Sequence, residues 1–162
     1  MAKEIILNRA IVSDDYQELT DDESAPSSGK VIVSFARFVK EGAELLATAS
    51  AVGIRLPSDK LPSDVPLLER LSLIAIEFPR FSDGRGYSIA KLLRERFKFK
   101  GQLRAVGWVL RDNLLYMERV GFDAFELAAG KPLESGLQAF AELPIAYQAT
   151  AVDRRPLYRR RL

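Results

Sequence analysis

The chain has 162 residues, 48% of them hydrophobic, and a net charge of +2, which is enough apolar material for one sizeable core and too little charge to point to nucleic acid. It contains no cysteine and no histidine, and this excludes thiol redox chemistry, thiolate metal sites, iron–sulfur ligation, axial haem histidines and Ser-His-Asp or Cys-His catalysis by this chain alone. Carboxylates, Lys, Tyr, Ser, Arg and backbone amides remain, a set suited to oxygen-ligated metals, anions and acid/base work.

From the N-terminus, Glu4-Ile-Ile-Leu, a turn at Asn8-Arg9 and Ala10-Ile-Val predict a short hairpin on a sheet edge. Asp21 to Gly29 is rich in Asp, Ser, Gly and Pro and reads as a loop, so residues 1–29 form a hairpin and loop appendage within a single domain spanning 1–162. That N-terminal stretch is acidic. Residues 1–27 set Lys3 and Arg9 against seven carboxylates, whereas the tail 153–162 sets five arginines against Asp153 and reads as a solvated basic terminus.

Val31-Ile-Val-Ser predicts a strand, followed by a helix carrying Phe35, Phe38, Val39, Leu45, Leu46 and Ala49, with Gly42 interrupting it. Val52 to Leu56 is a second strand, and a Pro-rich stretch over 57–66 leads to a short helix near Leu67. Leu73 to Phe78 is a strand with consecutive apolar residues, the pattern of one buried on both faces. A helix then begins near Ser88 with Ile89, Leu92, Leu93 and Phe97 on one stripe, and Gly101 ends it. Leu103 to Val106 is the next strand, and a helix capped by Asp112 carries Leu114, Leu115 and Val120 inward, Tyr116 in packing, and Gly121 as its stop. The strand Ala124 to Leu127, a helix entered at Pro132 with Leu133, Leu137 and Phe140 on one face, and a last strand over Ile145 to Ala149 complete the chain.

This alternation predicts an α/β fold with a mainly parallel sheet built from consecutive strand-helix units, either a partial (β/α) barrel or a doubly wound sheet. No run of about 18 apolar residues and no apolar signal core occur, so a cytoplasmic protein without membrane insertion is expected.

In either architecture ligands bind beyond the C-terminal ends of the strands. That rule selects Glu77 and the segment Arg80, Ser82, Asp83, Gly84, Arg85 and Gly86, then Trp108, Arg111 and Asp112, then Glu126 and Lys131. Free amides at a helix start, joined by the forked donors of Arg80, Arg85 and Arg111, suit an anion. The segment is not a P-loop and lacks the third glycine of a dinucleotide fingerprint. Its bland reading is a tight loop with Asp83 as turn former and Arg85 paired to Glu77 or Asp112. Glu77 and Asp83 are the catalytic candidates, as general base or Mg²⁺ ligand, with a salt bridge from Glu77 to Arg80 or Arg104 as the alternative. Trp108 and Tyr87 are candidates for a partner surface. No residue set is assigned to a metal, and no cofactor is assigned.

The segments Phe78-Pro-Arg-Phe-Ser-Asp-Gly-Arg-Gly-Tyr-Ser88, Leu93-Arg-Glu-Arg96, Gly101 to Gly107, Val109-Leu-Arg-Asp112 and Gly121 to Glu126, taken in order, resemble the bacterial domain-of-unknown-function 934 family. The resemblance runs over most of the chain. It implies an oxidoreductase of assimilatory sulfite reduction, because genes of that family lie beside those for sulfite reductase and phosphoadenylylsulfate reductase. Two positions depart from the family's form, which has Asp where Trp108 stands and Cys where Val120 stands; a role built on that thiol cannot operate here.

An oxidoreductase without Cys, His or a nucleotide fingerprint would need a flavin, a nicotinamide or a partner's cofactor in an unfamiliar site. The expectation is therefore an accessory or oxyanion-binding component, holding a small oxyanion or phosphosulfate, with sulfite reductase or another sulfur-assimilation protein as partner. One alternative is an α/β enzyme acting on a phosphorylated or sulfated metabolite; a second is a non-catalytic structural partner of sulfite reductase.

Overall fold

A computed structural model describes residues 3–142, 150 and 153–155. The strands are β1 (Glu4–Leu7), β2 (Ala10–Ser13), β3 (Tyr16–Glu18), β4 (Lys30–Ser34), β5 (Ala51–Leu56), β6 (Leu73–Phe78), β7 (Gln102–Gly107) and β8 (Ala124–Phe125). The helices are α1 (Phe35–Thr48), α2 (Arg85–Glu95), α3 (Leu114–Val120) and α4 (Leu133–Glu142). All strands join one sheet in the order β2-β1-β8-β7-β6-β5-β4-β3. From β3 to β8 every neighbouring pair is parallel, and β1 runs antiparallel to both β8 and β2. The fold is thus α/β and mostly parallel.

The N-terminal hairpin forms as expected, with Asn8 and Arg9 both at positive φ, 49° and 64°, in the mirror-image turn that matches strand twist. It docks on β8 and is part of the sheet, with Ile6 opposite Phe125. The next strand, β3, was not foreseen from sequence and lies at the opposite edge. Only Asp14 and Asp15 join β2 to β3, and three chain steps reach at most about 11 Å, so the two edges must approach each other. The sheet accordingly curls into a half-barrel.

One large apolar cluster joins the outward residues Val31, Val33, Ile54, Ile74, Ile76 and Ala105 to side chains from all four helices, among them Phe38, Leu93, Met117 and Phe140. Ile32, Leu73, Ala75 and Val106 point to the other face, where Tyr16 packs on them. The helices therefore cover the convex side, and the doubly wound alternative does not apply. Strand β6 is buried on both faces, as its apolar run requires.

Several local expectations are corrected. Helix α1 continues through Gly42, which packs against Phe38, and Val39 is exposed. Helix α2 begins at Arg85 and ends at Glu95, before Gly101; Phe97 lies beyond it and is exposed, while Phe99 is buried. Asn113, after a short turn over Arg111–Asn113, precedes α3 in place of Asp112. Tyr116 is exposed and Met117 takes the buried position. The Pro-rich stretch leads to two short 3₁₀ turns, Pro62–Asp64 and Leu68–Arg70. The strand expected over Ile145 to Ala149 and most of the basic tail lie outside the described residues.

Candidate functional site

The loop after β6 closes on itself. Asp83 accepts from the backbone N–H of Arg85 at 3.1 Å and from its Nε at 3.0 Å through one oxygen, and from Arg85 Nη2 at 2.7 Å and Ser58 Oγ at 2.8 Å through the other. These bonds hold the Asp83 carboxyl far below its usual range. The anion at the start of α2 is thus the chain's own, and Arg85 pairs with Asp83, not with Glu77 or Asp112. Gly86 serves packing, since a Cβ there would stand 2.6 Å from the Phe78 ring. The Tyr87 ring meets those of Phe78 and Tyr116 in tilted contacts, centroids 5.2 and 5.1 Å away, and burial pushes its phenol up.

The other selected residues spread out. Arg111 donates to Ser135 O and pairs with Glu142 on α4, so Arg85 and Arg111 share no acceptor. Arg80 is exposed and its carbonyl accepts from Asp83 N–H at 3.1 Å, while its guanidinium makes no hydrogen bond or ion pair among the described residues; Ser82, Gly84 and Asp112 are exposed beside it or on the neighbouring loop. Trp108 is 52% exposed, its backbone N–H donating to Phe78 O at 2.8 Å, and Phe81 is 64% exposed. Glu77 and Asp83 have separate partners and form no joint ligand pair; among the described residues no group of three acidic side chains could hold a metal ion.

The concave side of the sheet brings different residues together. Alternation along the strands aims Ala75 and Glu77 of β6 and Arg104 and Val106 of β7 inward. Gly53 of β5 leaves room for Leu73 and Ile32, and Arg55, two residues on, lies at the mouth. A cavity of about 110 Å³ opens here, at the C-terminal ends of the parallel strands where barrel-type enzymes bind ligands.

Its floor is an ion pair. Arg104, 1% exposed, donates from Nη1 and Nη2 to the two oxygens of Asp14 at 2.7 and 2.8 Å, and its guanidinium lies 5.8 Å from the Tyr16 ring centre. Tyr16 donates to Ser72 Oγ at 3.0 Å, which donates onward to Val52 O at 2.9 Å. Burial alone would raise the Asp14 pKa, but the hydrogen bonds and charge of Arg104 outweigh it and hold the carboxyl below its ordinary value.

The rim carries two further groups. Lys3 meets Glu126 at 2.8 Å. Arg55 lies between Glu18 and Glu77: its Nη1 pairs with Glu18, and its Nε stands 2.7 Å from Glu77 Oε1 without the alignment of a hydrogen bond. Glu77 therefore pairs with Arg55, not with Arg80 or Arg104. Three cations face four carboxylates, an excess of one acid at the mouth.

Of this constellation, sequence reasoning singled out only Glu77 and Glu126. Arg104 was visible as a charge inside a buried strand, which demands a partner. Lys3, Asp14, Tyr16, Glu18 and Arg55 were missed because their meeting depends on the curl that brings β3 across from β2.

A family model described as bacterial protein of unknown function (DUF934) matches residues 53–158. No curated protein and no solved structure matches. Among the described residues no helix is long and apolar enough to cross a membrane.

Proposed function

Because the chain belongs to the DUF934 family, we propose that it binds a small oxyanion-bearing metabolite at the concave mouth, with Arg55 as the anion-holding residue and Glu77 as the carboxylate that faces the ligand. The observation that carries this reading is the state of Arg55: its buried Nε has no aligned acceptor although the group lies at the mouth of a cavity. A tetrahedral or carboxylate oxyanion meets such a fork in two parallel bonds. The outer loop supports this placement less, since Asp83 already occupies the start of α2.

The ligand class is a sulfur oxyanion or phosphosulfate, and the role is that of an accessory component in sulfite assimilation, as the resemblance implies. Glu77 meets Arg55 beside the cavity, and in this reading it exchanges a proton with the bound anion, the alternative being catalysis on a sulfated or phosphorylated metabolite. Exposed Trp108 and Phe81 favour a second use of the same end of the sheet, as a surface for a sulfite reductase subunit.

One experiment addresses both. Thermal unfolding is followed with sulfite, sulfate, phosphate and adenosine phosphosulfate. A ligand at about a hundredfold excess over its Kd raises Tm by about 5–10 °C in the wild type, and Arg55→Ala abolishes the rise. A rise retained in Arg55→Ala refutes the site. In the companion arm, Trp108→Ala weakens co-purification with the reductase subunit while leaving the ligand response intact.

A further inference from the structure

We infer that Glu18 is a built-in competitor for Arg55, standing where the ligand's acidic group binds and thereby setting which ligands the mouth accepts. This rests on the reading of Arg55 as the oxyanion holder and names the residue that sets its selectivity.

Four observations meet on it. Arg55 has two carboxylate partners where neutrality needs one, so a ligand's anion can enter only if one of them leaves. The two differ in how they are held. Glu77 projects from β6, which is hydrogen-bonded to β5 on one side and β7 on the other. Glu18 ends the outermost strand, a three-residue element paired to β4 alone, and its side chain is 45% exposed against 36% for Glu77, so the difference lies in the strand that holds each. Rotation of that side chain into solvent leaves the backbone in place, because Leu19 directly after it is buried and donates its N–H to Ile32 O.

The remaining observation concerns the origin of the charges. Arg55, Arg104 and Glu126 lie within the family-matched segment, and each is answered from outside it, by Glu18, Asp14 and Lys3 respectively. The three replies differ in depth: Asp14 is sealed in with its arginine, whereas Glu18 has an open path to water. Asp14 is therefore a permanent counter-ion, and Glu18 is the exchangeable one. A ligand that offers a single weak acceptor cannot replace it. An oxyanion that spans Nη1, once Glu18 has left it, and Nη2 of Arg55 can, while Glu77 stays beside Nε, so the mouth selects sulfate-, sulfonate-, phosphate- or carboxylate-type groups able to bind in two bonds.

Isothermal titration of the full chain with sulfate and with sulfite, at fixed pH and salt, tests this in the wild type, Glu18→Gln, Glu77→Gln and Arg55→Ala. The expected result is binding about fivefold tighter in Glu18→Gln, no comparable gain in Glu77→Gln, and loss in Arg55→Ala. Glu18→Asp, which keeps the charge and shortens the reach, should gain less than Glu18→Gln and covers the case in which the neutral variant fails to fold. Arg55-dependent binding that is unchanged or weaker in Glu18→Gln, or a gain confined to Glu77→Gln, overturns the inference and leaves the Arg55 site standing. No binding by any of the four proteins overturns both.

Discussion

Arg104 is the most completely buried charged residue described, at 1% exposure, and its ion pair with Asp14 makes that tolerable. Two parallel hydrogen bonds satisfy the fork, and the Tyr16 ring lies beside it. Removing one partner leaves the other charge uncompensated, so Asp14→Asn should destabilise the fold by about 3–5 kcal/mol at neutral pH in urea titrations. A paired replacement, Asp14→Leu with Arg104→Met, should recover most of that loss. The pH dependence has a definite sign. The folded-state pKa of Asp14 is depressed, so its contribution is present above the unfolded carboxyl value of about 4 and is lost as pH falls below it towards the folded value. The stability gap between the wild type and Asp14→Asn should accordingly narrow on acidification below about pH 4, and a gap constant down to pH 2 would count against the pair. The need for a partner was legible in the run Leu103-Arg-Ala-Val106. Its identity was not, because 90 positions separate the two residues and no local pattern encodes the approach.

At the scale of elements, the order of strands and helices from residue 51 to 142 was readable because each segment keeps one hydrophobic period and is punctuated by Gly or Pro. The discrepancies have local causes. Helix α2 starts early because Asp83 supplies an acceptor to the first helical amide, a bond between side chain and backbone that periodicity does not report. Strand β3 escaped notice because three residues give too short an alternation to read. The end of β7 shows how tightly the mouth is built: Gly107 has φ of +92°, and a Cβ there would stand 2.5 Å from Phe78 O. Gly107→Ala should therefore cost at least about 2 kcal/mol and shift the β7 end that carries Val106 and Trp108. Lower Tm together with weakened ligand response would be the expected pair of readings; a variant as stable as wild type would show that the backbone there relaxes freely.

For the whole molecule, the half-barrel depends on its first 18 residues. They supply both outer edges of the sheet and, through Lys3, Asp14 and Glu18, one partner in three of the four ion pairs around the cavity. Ile5 and Ile6 are 2% and 0% exposed, and losing both is worth about 3–6 kcal/mol of burial. A chain that starts at Asp14 should thus melt well below the full protein and self-associate through the bared edge of β8, which size-exclusion chromatography and thermal unfolding would register together. An unaltered melting curve would return the hairpin to the status of an appendage. The sequence showed the hairpin and the parallel run but not that the one closes the other, since closure follows from the length of the link Asp14–Asp15 and not from its composition.

That closure also sets a timetable. Strand β1 leaves the ribosome first, yet its neighbour β8 is among the last strands made, with Ile6 waiting for Phe125. During synthesis the hairpin has nothing to join and Arg104 emerges long after Asp14, so the central strands with α1 and α2 must gather before the edges are sewn on. The charged mouth exists only once the N-terminal hairpin has met β8.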